Sequence, residues 1–564
     1  MIQTTAAIMA TIMPREVNNT VKGNRIKYSQ LAITFAGLFS STTALAQSDL
    51  KITAQSEAEV IYQDVQTETD GNLSLTTVSI VPSLIATYSS RTFSGNWSST
   101  VTHLERENDT SGEEDTYAEY RYTAQWQPFD EYLLLQANGA LNYQNTSSSS
   151  YLLTDFVTNS EGLSKTRTNT LSGTLQFING DWITALGSAA YSVVESEESS
   201  TNSTGLDNDS TSLTGTLANG DRARRLFWTL TGSYQDTSRS TTSSGDFFTR
   251  EGEFTADAML FSDWALRVTA FHEANQINST DNTDSATRQF NSYGAGITYR
   301  QSAERYIALT ANRSDSDTDE NETYVGLDIA WALSSRTSVA GSYDRRFYGE
   351  SAAAQISYNT KYFRSSFSYN EDVTTTSRLL TDSESLGVFV CASDASSISD
   401  CFQPSSLAYD LGAGEQFVEL TSQNLEFDDS VIIYKSANTQ IGYQFSRLTL
   451  GLTWRYTESE YLEEDRLRRN YSAGTDFSYD IGSYTSLTGS ITYANIEERG
   501  TSTTAGVSEN INSTLGLSRT FGEHLTTSLN LSYLTTSGNL SQVSLYGNDY
   551  TDRRITFSVS YEYE

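Results

Sequence analysis

Cysteine, histidine, proline and methionine are all scarce in this 564-residue chain, at two, three, four and four residues. So few His and Cys leave little room for structural zinc, iron–sulfur or haem ligation, and no cofactor is expected. No apolar run approaches the roughly 18 residues of a membrane-spanning helix. Basic residues are also short: 36 Lys+Arg against 70 Asp+Glu give a net charge of −34, which excludes a general nucleic-acid binder. No catalytic constellation stands out. His103 and His272 lie in strand-like runs, His524 follows a turn, and no Gly-x-Ser-x-Gly elbow occurs, so no enzymatic activity is expected. What the chain does have is aromatic: 34 Tyr, 24 Phe and 7 Trp within a hydrophobic share of only 37%. A disordered chain of such low hydrophobicity lacks rings.

The first 46 residues read as a signal peptide. Arg15, Lys22, Arg25 and Lys27 precede the short apolar core 31–40, and Ala44-Leu45-Ala46 supplies a small-x-small cleavage site before Gln47. Export of a mature chain spanning 47–564 is expected.

That mature chain repeats one pattern. In 525–533, Leu525, Thr527, Leu529, Leu531 and Tyr533 alternate with Thr526, Ser528, Asn530 and Ser532, and 226–234, 448–456 and 555–563 behave alike. Period two over nine or more residues marks strands with one apolar and one polar face, long enough to cross a bilayer when tilted. The links alternate in length. Short turns such as Asn179-Gly180-Asp181, Asn219-Gly220-Asp221, Ser262-Asp263 and Phe521-Gly522-Glu523 are separated by long polar links such as 145–161, 197–210 and 236–245. A propeller has a similar period but needs a second apolar face, and a secreted β-helix has shorter rungs. The pattern favours an all-β fold: a single large transmembrane antiparallel β-barrel of about 24 strands (range about 20–26), with short periplasmic turns and long extracellular loops.

Trp126, Trp182, Trp264 and Trp331 each sit near a short turn, as an aromatic girdle at the periplasmic interface requires. The polar faces place Arg121, Arg225, Arg267, Arg346, Arg364 and Arg455 in the lumen with Glu119, Glu273, Asp328, Asp344 and Asp476. Arg outnumbers Lys thirty to six, and guanidinium forks suit bidentate pairing with carboxylates. Such charges act either as an ion-pair lattice stiffening the wall or as a field that selects a polar solute. The acidic links include Asp315-Ser316-Asp317-Thr318-Asp319-Glu320, which resembles a calcium loop but lacks the glycine at its sixth position, so no metal site is expected.

About sixty residues after Phe363–Tyr369 break the rhythm and form a long loop at about 377–430. This segment holds Cys391 and Cys401, the chain's only cysteines, which in an oxidising exported location form a disulfide. A wide barrel leaves an aqueous hole, so this loop is expected to fold over or into the extracellular mouth and narrow the pore.

The stretch Phe367-Ser368-Tyr369-Asn370-Glu371-Asp372-Val373-Thr374-Thr375-Thr376-Ser377 resembles the SYSE-x-x-TTT motif of the PEP-CTERM system-associated outer-membrane proteins of exopolysaccharide-producing bacteria, with Asn370 where that family carries Ser. The resemblance implies an outer-membrane conduit or assembly component for exopolysaccharide or exosortase-associated export, and it supplies no catalytic residues. A general diffusion porin for small polar solutes, and a surface adhesin or structural barrel, are the alternatives. The expected partners are outer-membrane lipid and lipopolysaccharide, then exported polysaccharide or export-machinery proteins, and no nucleic acid.

Overall fold

A computed structural model describes residues 49–563, except 68–70, 108–113, 130–131, 146–154, 158–159, 198–204, 240–245, 278–285, 317–320, 382–386, 393–394, 396–397, 405–408, 410, 412–414, 419, 421–429, 463–464, 501–504 and 541–548. The expected signal peptide and most of the calcium-like stretch lie outside the described residues.

Strands are numbered in chain order. From β1 (Asp49–Thr67) and β2 (Gly71–Ser89), which pair over nineteen residues each, every barrel strand runs antiparallel to its sequence neighbours. The ring closes where β1 pairs with β27 (Tyr550–Tyr563), giving 24 strands. Closure leaves no edge, so the backbone groups of the wall are paired strand to strand. Pro82 falls where the ladder between β2 and β3 (Phe93–Glu107) skips. A residue without an N–H is tolerated at such a gap.

Alternation decides what each face meets. On β26 (Leu525–Gly538), Leu529, Leu531 and Tyr533 are exposed outward, whereas the Ser528 hydroxyl bonds that of Ser558 at 2.7 Å. The same inward pairing joins Ser338 to Ser357 at 2.6 Å and Ser486 to Ser518 at 2.7 Å. An apolar exterior around a hydroxyl-lined interior is covered only by lipid, and this is an outer-membrane β-barrel. The short turns fall where the sequence puts them. One link on the opposite, extracellular end departs from the rhythm: β15 (Thr337–Arg346) and β16 (Gly349–Asn359) are joined by Phe347 and Tyr348 alone. Phe347 packs into a buried cluster with Phe247, Phe290, Val373, Val431 and Ile433, so this turn serves as core rather than as a loop.

The long segment between β17 (Phe363–Thr375) and β21 (Val431–Phe445) is folded. It opens with helix α1 (Thr376–Thr381), whose Leu380 packs against Val194 and Leu206. Val194 belongs to β7 (Ile183–Ser196), ten strands away around the ring, so α1 reaches across the mouth. The segment then forms a three-stranded sheet of β18 (Phe389–Ala392), β19 (Cys401–Phe402) and β20 (Glu415–Val418), in the order β19-β18-β20. The Cys391–Cys401 disulfide is present and cross-links β18 to β19, with the Cα atoms 4.2 Å apart.

This small sheet does not stay at the mouth, which corrects the expectation of an extracellular constriction alone. The Gln403 amide donates to Gln444 Oε1 at 3.1 Å, and Gln444 Nε2 donates to the Cys401 carbonyl at 3.3 Å. Gln444 lies one residue from the short-turn end of β21, thirteen residues from Val431 and so roughly 40 Å along the strand. Asn359, the last residue of β16 at that same end, donates to the Pro404 carbonyl at 3.1 Å. The disulfide-bearing segment is therefore a plug seated at the periplasmic level of the lumen.

Candidate functional site: the plugged lumen

The seat is made by what the wall leaves out. Gly442 on β21 and Gly451 on β22 (Leu448–Tyr461) face each other as register partners on the inner face. A Cβ on Gly442 would lie 2.2 Å from Gln403 Nε2 and 3.0 Å from the Phe389 ring, and one on Gly451 would lie 2.7 Å from Leu420. Glycine at both positions lets the plug approach without displacing the tips of Gln403, Phe389 and Leu420. Val388, Phe389, Cys391 and Cys401 form the plug's own core, with Val418 and Leu420 against it. Arg364 of β17 completes the grip, its guanidinium 5.4 Å from the Phe417 ring centre.

On the other side of the lumen the arginines are taken up by carboxylates. Arg267 of β11 (Trp264–Ile277) gives Nε and Nη2 to the two oxygens of Asp257 at 2.8 and 2.9 Å, and Nη1 to Asp328 at 2.6 Å. Asp257, on β10 (Phe247–Phe261), also accepts from Thr298 at 2.8 Å and from Arg300 at 2.7 Å. Both guanidiniums lie over Tyr306, at 5.1 and 4.5 Å. Arg346 reaches Glu251 at 2.5 Å and Glu273 at 4.0 Å. Arg267 and Asp257 are each only 3% exposed in their side chains, so this network is a buried brace. A cavity of about 300 Å³ opens beside it, with Glu253, Arg267, Tyr306, Asp328 and Asp344 in its walls.

The structure thus brings Arg267, Asp328, Asp344, Arg346 and Glu273 together, and it separates the other expected lumen charges. Glu119 and Arg121 lie on β4 (Glu114–Trp126); Glu119 accepts from the Tyr143 amide at 3.2 Å, and Arg121 is exposed on the inner face. Arg225 lies in the turn before β9 (Leu226–Arg239) and is exposed. Arg455 is buried on β22. Asp476, on β23 (Arg466–Gly482), is the register partner of Gly451 and borders the plug. Sequence reasoning missed Asp257, Arg300 and Tyr306. The alternation of Glu251, Glu253, Thr255 and Asp257 along β10 was the signal that marks them as an inner row.

The four tryptophans all lie at or near the short-turn ends of their strands. Trp126 ends β4, Trp182 immediately precedes β7, Trp264 opens β11, and Trp331 lies near the short-turn end of β14 (Thr323–Ser334). Tyr299 bridges Trp264 and Trp331, with ring centres 5.3 and 6.3 Å away.

No protein-family model matches the chain, and no curated protein sequence matches it. Solved structures resemble it weakly. The siderophore receptor PirA from Pseudomonas aeruginosa is 10% identical, with 91% of this chain and 80% of that one covered at a TM-score of 0.36. The FrpB iron transporter from Neisseria meningitidis is 9% identical, with 91% and 81% covered and a TM-score of 0.39. The outer-membrane protein OpdK from Pseudomonas aeruginosa is 6% identical, with 91% and 99% covered and a TM-score of 0.30. The fold rests on the closed ring and the lipid-facing exterior described above, not on these overlaps.

Proposed function

We propose that this barrel is a gated conduit that carries polar, carbohydrate-like material across the outer membrane. Export of exopolysaccharide is the reading that its motif resemblance favours, and its role is passage rather than catalysis. The observation that carries the proposal is the folded plug. A permanently open diffusion pore has no use for a disulfide-bridged sheet seated on glycines within its lumen, whereas a conduit that opens on demand needs such an obstruction. The rows of inward hydroxyls suit a hydrated, polar solute, because they offer hydrogen bonds between the charged clusters of the wall. The SYNEDVTTTS stretch supports the same reading, since Val373 to Ser377 are buried where β17 turns into the helix that crosses the mouth.

A general diffusion porin is the second reading. It is favoured by the inner face of β4, where Arg121, Thr123 and Gln125 are exposed and meet no plug residue among those described. Reconstitution separates the two. The intact barrel in liposomes should pass little neutral dextran, and a variant with 377–430 replaced by a tight turn should pass it freely. High conductance from the intact barrel would favour the porin, and an assembled deletion variant that passes nothing would refute the conduit.

A further inference from the structure

The face of the plug that meets the wall encloses a half-open cleft of about 300 Å³, and its two sides differ in kind. The plug side is apolar: the Cys391–Cys401 disulfide, Ile398 and Leu420. The wall side is mainly polar: Asp476, Ser490 and Thr514 stand on the inner faces of β23, β24 (Thr485–Gly500) and β25 (Gly506–Phe521), with Phe477 the one large apolar wall residue among the described lining. Ser490 and Thr514 share one hydrogen bond of 2.7 Å, which leaves their remaining lone pairs and proton free for a ligand. Leu420 packs on Gly451, the register partner of Asp476, so an aliphatic side chain stands beside a carboxylate. No described residue bonds or pairs with Asp476.

Each ligand class makes a different demand on this cleft. An anion needs a cation at the carboxylate, and none lines the cleft. A wholly apolar ligand would strip water from Asp476 and both hydroxyls without replacing it, an uncompensated desolvation. A metal ion needs more donors than one carboxylate and two hydroxyls. A sugar ring meets every demand: its C–H face covers the aliphatic side, and its hydroxyl rim donates to the carboxylate and exchanges hydrogen bonds with Ser490 and Thr514.

We infer that the cleft between the plug and the β23–β25 wall is a sugar-binding subsite, with Asp476 as the acceptor for ring hydroxyls. The inference rests on the conduit reading and adds to it: occupancy of this cleft couples the solute to the very element that blocks the lumen. A sugar held here touches wall and plug at once, so a chain entering the lumen makes its first specific contact with the obstruction.

The test uses the full-length barrel in lipid nanodiscs, titrated with maltotriose as a neutral probe, n-hexylamine as a cationic one and succinate as an anionic one, and read by saturation-transfer NMR. Maltotriose should bind saturably. Asp476→Asn, which keeps the shape, should weaken it about tenfold, as loss of a charge-assisted hydrogen bond does. Leu420→Trp, which fills the cleft, should abolish it, and heat-modifiable migration verifies that each variant is folded. Should either variant misassemble, Ser490→Ala carries the same expectation at a smaller, roughly threefold loss. Absence of saturable maltotriose binding, preference for hexylamine or succinate, or an unchanged affinity in Asp476→Asn overturns the inference. Dextran flux through the plug-deleted barrel is measured separately. Flux without maltotriose binding rejects the subsite and keeps the conduit, and binding without flux does the reverse.

Discussion

Replacing Gly442 by valine tests the plug from the wall side. Valine is a good strand former, so β21 should keep its place between β17 and β22. Its side chain, however, would enter the space held by Gln403 and Phe389, where even a Cβ comes within 2.2 and 3.0 Å. The plug must then lift from this end. Lifting breaks the hydrogen bonds Asn359–Pro404, Gln403–Gln444 and Gln444–Cys401. At about 1 kcal/mol each, the loss is roughly 3 kcal/mol, and the ratio of seated to unseated plug falls about a hundredfold. Planar-bilayer recording of the purified variant should show higher and noisier conductance than the wild type. Cells carrying it should become sensitive to large antibiotics that the outer membrane normally excludes. An assembled Gly442→Val barrel with wild-type conductance and wild-type antibiotic exclusion would refute the claim that this glycine seat holds the obstruction in place.

Three further perturbations probe the rest of the molecule. Leu529→Arg on the lipid face should cost about 2–4 kcal/mol if near the midplane, whereas Ser528→Arg projects into the lumen and should be tolerated; equal damage in urea titrations would mean the faces are reversed. Asp257→Asn removes the charge and one of the two acceptor oxygens that Arg267, Arg300 and Thr298 share and should lower stability by about 3–5 kcal/mol, seen as a lower temperature of heat-modifiable migration, while Arg121→Ala on the exposed inner face should leave that temperature unchanged. Cys391→Ser with Cys401→Ser opens a small loop worth about 2–3 kcal/mol to the plug; added protease should then cut the plug while sparing the wall, and a plug as resistant as before would show that the disulfide is dispensable.

The wall was legible because period two is a strong signal: the inward Ser528 and outward Leu529 follow from alternation alone, and the tryptophans follow from their distance to short turns. The plug's depth was not legible. Nothing local distinguishes Gly442 and Gly451 from other small residues of an inner face, and their meaning appears only when Gln403, Phe389 and Leu420 arrive from a segment with no periodicity of its own. The brace around Asp257 failed to appear for a different reason. Its partners are cross-strand neighbours, Asp257 opposite Arg267, so finding it requires the register between β10 and β11 and not merely their existence. Phe347 and Tyr348 show the limit of loop-length reasoning: two aromatic residues suffice as a link because Phe347 is buried in the cluster and Tyr348 packs against it.

Ring closure has a consequence for the order in which the molecule is built. The buried bond from Gln63 to Asp552 joins residues 489 positions apart, between the first and last strands, so the final seam forms only after every intervening strand is available. The plug lies between β17 and β21 in the chain yet ends inside the cylinder, with seven strands still to follow it. A sheet that seals at its first and last strands leaves three routes: curling around the plug, admitting it through the open seam, or receiving it through the mouth after closure. By any of these routes the Cys391–Cys401 bridge has its best opportunity to form before the plug is seated, while its thiols are still reachable by an oxidant.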